Sequence, residues 1–338
     1  MRGIAFGIRC PARAVVACAG LSAFAIGAAV PGTAGAQGAP VRMLVANEVA
    51  NSISDVDLST GAVRKTFPAG QRPRSMVMTP DGRTGYVALG REGAIGVIDP
   101  ARDSVIAKIP CGQDPEQIAL SPDGHIVYVT NEETAHATAV DVTSKTVVWA
   151  TPVGEEPDGV TVTPDGKRVY VASETGGTVS VLDAATGKVV ATIPIAGRPR
   201  FIAAAPVGGR VYVNAENGGT INAIDTRTNK VVKSVPVTAG PDSAKPSGIA
   251  VSSDGKTVYF ANGRANRVAI MTAATMTITD TIPVGQRPWG VSLAADGKTF
   301  YTADGRSNSV TVVDLVAKKV ARTIPVGDHP YGMVLLYH

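Results

Sequence analysis

From residue 44 onward the chain repeats itself. Leu44-Val45-Ala46-Asn47, Tyr86-Val87-Ala88-Leu89, Tyr128-Val129-Thr130-Asn131, Tyr170-Val171-Ala172-Ser173, Tyr212-Val213-Asn214-Ala215, Tyr259-Phe260-Ala261-Asn262 and Tyr301-Thr302-Ala303-Asp304 fall in register, at intervals of 42 residues with one interval of 47. A fixed period of that size means an array of one supersecondary unit. Each unit reads as four short strands. In one of them Gly159–Thr163 alternates, Pro164-Asp165-Gly166 turns, Arg168–Ala172 returns, Thr178–Leu182 follows, Asp183–Gly187 turns again, and Lys188–Ile193 closes the meander. Abundant glycine and proline beside only 5% aromatic residues suit many short strands and turns better than packed helices.

A lone four-stranded meander has open edges and cannot cover both faces, so such units pack face to face around an axis. The expected fold is all-β, a seven-bladed β-propeller of four-stranded antiparallel blades. The first unit lacks its first strand, and Pro330–Leu336 after the seventh unit matches the start of a unit such as Pro288–Leu293. The C-terminal strand should therefore complete the N-terminal blade and close the ring.

Residues 1–36 read as an export signal, with 37–338 as the propeller domain. Arg2, Arg9 and Arg13 form a basic start, Ala14–Val30 is uncharged and apolar, and Ala34-Gly35-Ala36 supplies small residues for cleavage before Gln37. A retained membrane anchor is the alternative, but the stretch is rich in Ala and Gly and slightly short for a span, so no stable membrane span is expected after cleavage and the expected location is periplasmic or secreted. With Cys10 and Cys18 removed, Cys111 is the only cysteine left, and no intrachain disulfide can form. The three arginines also carry most of the net charge. The remainder is nearly neutral, which gives no field for nucleic acid.

Most acids have a structural reading. Asp81, Asp123, Asp165, Asp254 and Asp296 each precede a turn glycine, and Asp57, Asp99, Asp141, Asp183, Asp225 and Asp314 end third strands, where a carboxylate accepts turn N–H groups. His125, His136, His329 and His338 lack ligand spacing, so no metal site is expected, and no nucleophile, base and orienting acid can be assembled. Cys111 replaces aliphatic residues of other units and reads as a small buried hydrophobe.

The Tyr-Val-Thr-Asn phrase at 128–131 within a 42-residue unit resembles the YVTN-family β-propeller repeats over residues 41 to 338. Gly70-Gln71-Arg72-Pro73-Arg74, Asp114-Pro115-Glu116, Arg198-Pro199-Arg200-Phe201, Asn266-Arg267-Val268-Ala269 and Gly285-Gln286-Arg287-Pro288-Trp289 are similar in order to one subgroup, the seven-repeat propellers associated with pyrroloquinoline-quinone (PQQ)-dependent catabolism. The resemblance implies an exported propeller accessory to quinoprotein oxidation and transport, with no established catalytic residues to carry over. Quinoprotein dehydrogenases themselves place a tryptophan eight residues after an aspartate in most blades. Here only Asp141 is so followed, by Trp149, while the other positions hold Lys65, Ala107, Ala191, Lys233 and Arg322. No bound quinone or other cofactor is expected.

In a meander, the connections between strands two and three and between blades emerge on one face, opposite the Asp-Gly turns. On that face residues 112–178 carry Asp114, Glu116, Glu132, Glu133, Glu155, Glu156, Asp158 and Glu174 without a cation, while Arg72, Arg74, Arg91, Arg198, Arg200, Lys245, Arg264, Arg267, Arg287 and Arg306 lie elsewhere on it. Segregation by sign, with Trp289 and Tyr331 beside the interblade prolines, points to a binding face. Packing requires no charge there, so Arg72, Arg74, Arg198, Arg200 and Arg287 are read as forked donors, Trp289 and Tyr331 as apolar platforms, and Asp114, Glu116 and Asp158 as the acidic part. The expected function is a non-enzymatic binding protein or scaffold for a periplasmic protein partner or small ligand. A lactonase-type propeller hydrolase and a cell-envelope adhesion protein are the alternatives.

Overall fold

The computed structural model describes residues 38–237 and 244–337, and the signal-peptide reading lies outside them. Seven four-stranded antiparallel sheets make up the fold. Blade 1 runs Pro330–Leu336, Arg42–Asn47, Ser52–Asp57, Ala62–Pro68 from the inside outward, and blades 2 to 7 follow in chain order. The last strand pairs antiparallel with Arg42–Asn47 (Leu44 opposite Val334, Val45 opposite Met333), so the ring closes as the orphan strand demands.

In blade 4 the strands are Pro157–Val162, Arg168–Ser173, Thr178–Asp183 and Val189–Pro194. The inner strand begins two residues earlier than the alternation suggests, and the reason lies in its register. Pro157 faces Ser173 but Val160 faces Val171, so the inner strand carries an extra residue there. The same slip follows the proline of every inner strand, from Pro73 to Pro330. A bulge re-aims a side chain, and here it is the residue after each proline that moves. The core lies between blades, where Tyr170, Tyr212, Phe260 and Phe300 are fully buried among Val, Ile and Ala of adjacent sheets.

The turn acids act as expected. Asp57 Oδ1 accepts the Ser59 hydroxyl and the N–H groups of Ser59 and Thr60, and Asp81 accepts the Thr79 hydroxyl and the Arg83 N–H. These hydrogen bonds hold both carboxyls below their ordinary range. Trp149 is a packing residue. Its Nε1 donates to Ala184 O of the next blade at 3.0 Å. The equivalent Lys65, Lys233 and Arg322 likewise donate to Arg102 O, Thr275 O and Ser59 O in the neighbouring blades, so this column ties the outer edges together where its side chain carries a donor. Cys111 is buried, and burial pushes its thiol up to about 12.

Candidate functional site

The bulge lines seven side chains around the axis: Tyr331, Arg74, Glu116, Asp158, Arg200, Ser247 and Trp289, one per blade. Just before six of the seven prolines, Arg72, Asp114, Glu156, Arg198, Arg287 and His329 adopt positive φ, a conformation costly for non-glycine residues. Side-chain amides of the preceding blade support the bend. Asn51, Asn266 and Asn308 accept the N–H of Arg72, Arg287 and His329 at 2.8, 2.9 and 3.1 Å. Such glycines as Gly290 and Gly332 let the inner strands converge, since a Cβ would lie 2.0 Å from Tyr331 O and 2.2 Å from Arg74 O.

The charges that the sequence separates by sign meet in space. Arg74 bridges Glu116 (2.7 Å) and Glu48 (3.3 Å) and lies 4.1 Å from the Tyr331 ring centre. Arg72 pairs with Glu116 (2.8 Å), Glu48 (3.3 Å) and Asp114. Arg200 contacts Asp158 (2.7 Å), Glu174 (2.8 Å) and Glu216 (3.5 Å), Arg198 contacts Glu174 and Glu216 (3.1 Å), and Arg287 reaches Glu216 (3.1 Å). Gln117 donates to Asp158 and links the two halves of the network. The reading that packing needs no charge here is therefore corrected. Glu116, Asp158 and Glu174 are buried, and a buried carboxylate demands a partner.

The same burial perturbs the acids. Burial pushes the Glu116 carboxyl up to about 9, with Asp158 adding to the rise and Arg74 and Arg72 opposing it. Glu174 rises to about 8, again through burial and Asp158. Burial works the same way on Asp158, but Arg200 and Arg74 overcome it and hold that carboxyl below its ordinary range. Asp114, Glu116 and Glu132 place carboxylate oxygens within 4.8 Å of one another, a spacing a metal ion could use, yet Arg72 already stands on two of the three.

Trp289 and Arg200 are the partly exposed members of the ring; the indole has Arg287 at 4.2 Å and Arg200 at 4.7 Å from its ring centre and Tyr331 beside it at 6.1 Å. Cation–π contacts from two arginines hold the indole in place. Below it a cavity of about 130 Å³ is lined by Gln117, Phe201, Tyr331 and inner-strand glycines, and the Tyr331 hydroxyl is buried without a hydrogen-bond partner among the described residues.

Two partners escaped the sequence reading, Glu48 and Glu216. The signal was present in the repeat. The residue after each aligned four-residue phrase is Glu48, Gly90, Glu132, Glu174, Glu216, Gly263 or Gly305, so this one column marks the blades that supply an acid.

Solved structures with the same fold include a protein of unknown function from Desulfotomaculum acetoxidans (TM-score 0.75, 16% identity, covering 87% of this chain and 98% of that one). A provisionally named 6-phosphogluconolactonase from Bacteroides uniformis is similar (0.74, 18%, 88% and 100%), as is the hydrazine synthase of Kuenenia stuttgartiensis (0.70, 21%, 77% and 88%). At these identities the likeness shows the fold alone. No functionally curated protein matches in sequence. The family model of the YNCE-like beta-propeller matches residues 10–123, 127–294 and 253–338, and the chain belongs to that family.

Proposed function

We propose that the protein is an exported, non-enzymatic binding propeller that serves a PQQ-dependent oxidation or transport system of the periplasm and takes its partner on the proline-loop face. The observation that carries the reading is the asymmetry between the two faces. Turn acids at the Asp-Gly face are consumed by their own turns, whereas the proline-loop face gathers an indole and buried ion pairs from successive blades around one mouth. Rigid, oriented loops on a stable ring are what binding requires. The PQQ association rests on the ordered loop motifs, from Gly70-Gln71-Arg72-Pro73 to Gly285-Gln286-Arg287-Pro288.

Capture from a periplasmic extract, with the bound proteins identified by mass spectrometry, tests the reading. Trp289→Ala should abolish recovery of a quinoprotein dehydrogenase or a transport component, while joint replacement of Arg83, Lys167 and Lys298 on the opposite face by Ala should not. Equal recovery by both variants would remove the face from consideration. A lactonase reading is favoured by the similarity to the provisionally named 6-phosphogluconolactonase. It requires release of acid from 6-phosphogluconolactone above the spontaneous rate, which a pH-stat measures directly.

A further inference from the structure

Not every cation on the proline-loop face is paired. Between blades 6 and 7 a pocket of about 330 Å³ is lined by Lys245, Gly263, Arg264, Asn266, Gln286, Arg287 and Arg306. No acid lines it. Arg264 and Arg306 are exposed, and neither they nor Lys245 make an ion pair among the described residues; the Lys245 ammonium donates to the neutral side-chain oxygen of Asn217. Arg287 has one carboxylate, Glu216, which it shares with Arg198 and Arg200. Asp242, the nearby acid in sequence, lies outside the described residues.

Like charges brought to one concave site repel, and nothing in the packing demands these. Arg264 and Arg306 stand directly after Gly263 and Gly305, at the head of turns where blades 1, 3, 4 and 5 place glutamate. The absence of a side chain at Gly305 is functional in shape as well, because a Cβ there would lie 2.8 Å from the Trp289 indole that bounds the mouth. Asn266 uses its carbonyl oxygen to hold the Arg287 N–H, which leaves its amino group as a further donor. The pocket thus offers planar guanidinium forks, an ammonium and an amide, all of them donors.

Resting on the binding reading above, we propose that this pocket takes a small oxyanion with at least two negative charges, a phosphoryl or polycarboxylate group, either free or carried on a larger ligand. A single carboxylate would leave most of the cations facing one another. A phosphoryl group or a di- or tricarboxylate accepts from several forks at once, in the geometry arginine favours. The volume suits a small molecule rather than a chain.

Isothermal titration of the full protein with inorganic phosphate, citrate and acetate, at constant ionic strength, tests the assignment. Phosphate, citrate or both should bind, acetate should not, and which of the two binds tells phosphoryl from carboxylate recognition. R264A/R306A should weaken that affinity at least tenfold with an unchanged melting temperature, and the milder R264Q/R306Q should behave alike. Binding of neither polyanion, or equal binding by wild type and both double variants, would overturn the proposal. This readout is independent of partner capture. Loss of anion binding with retained capture in wild type, or the reverse, separates failure of the pocket from failure of the face.

Discussion

The turns that open with glutamate and those that open with Gly-Arg occupy the same place in the repeat and produce opposite surfaces. Where Glu48, Glu174 and Glu216 stand, arginines of neighbouring loops are drawn into ion pairs. Where Gly263-Arg264 and Gly305-Arg306 stand, the arginine points outward and has no carboxylate among the described residues. Gly90-Arg91 in blade 2 is intermediate, since its pocket also holds Asp114, Glu92 and Glu133. This column of the repeat therefore bears on whether a loop joins the buried ion-pair network or a charged rim. The division is not complete: Glu132 opens its turn without an ion pair among the described residues, and Arg287 both pairs with Glu216 and lines the charged pocket.

The most severe way to break the comparison is to remove what holds both halves in one ring. Deleting residues 330–338 takes away the inner strand of blade 1 and with it Tyr331, which packs on Arg74, Trp289 and Phe201. The edge of Arg42–Asn47 loses its only partner on that side. The expected result is an aggregating product, and a soluble truncation that melts cooperatively at the parent temperature would show that closure is dispensable.

On the glutamate side, Arg200→Ala should cost about 3 to 5 kcal/mol, because removing one partner of a buried pair leaves uncompensated charge. Asp158 and Glu174 are buried and would lose the cation that contacts them at 2.7 and 2.8 Å. Urea denaturation measures the loss. A cost below about 1 kcal/mol would place the network among ordinary surface pairs.

These pairings were partly legible before any coordinates. The period fixes seven blades, and strand limits follow from alternation to within two residues, because turn chemistry repeats in every unit. The inner-strand bulge was not legible. It shows only as a register slip, and without it the post-proline residue would alternate in the ordinary way. Listing the charges along the chain suggested segregation, yet Arg72 and Asp114, or Asp158 and Arg200, are 42 residues apart, one full period. Reading down the columns of the repeat brings them side by side. Reading along the chain keeps them apart.

Asp304 of blade 7 sharpens the contrast in a different way, since it is a buried acid with hydroxyl partners in place of a cation. It accepts from Thr302 (2.8 Å) and Thr311 (2.5 Å), and burial pushes its carboxyl up to about 6 despite those bonds. Between its ordinary 3.8 and about 6 the folded protein holds more protons on this group than the unfolded chain, so its contribution to stability falls as pH rises through that window. Asn47, Asn131 and Asn262 occupy the same strand-ending position. Asp304→Asn should therefore stabilise by about 1 to 3 kcal/mol at pH 7, with the gain vanishing below about pH 4. Melting temperatures across pH 4 to 8 check the slope, and a gain independent of pH would assign it to packing.

The smallest effect separates the two arginine classes most sharply. Arg264 and Arg306 are exposed and make no ion pair among the described residues, so R264A and R306A remove charge without uncovering a buried acid. Exposed substitutions of this kind change stability by less than about 0.5 kcal/mol each. Relief of repulsion with Arg287 works in the stabilising direction. Burial first, and then Arg200 and Arg306, push the Arg287 guanidinium below its ordinary range. The expected outcome is a melting temperature equal to or slightly above the parent at low salt, with the difference shrinking as added salt screens the charges. The same salt series on Arg200→Ala should leave its deficit largely in place, because buried charges are screened far less than exposed ones. A salt-insensitive loss in R306A would mean that this arginine has a buried partner after all, and that the Gly-Arg turns are as structural as the glutamate ones.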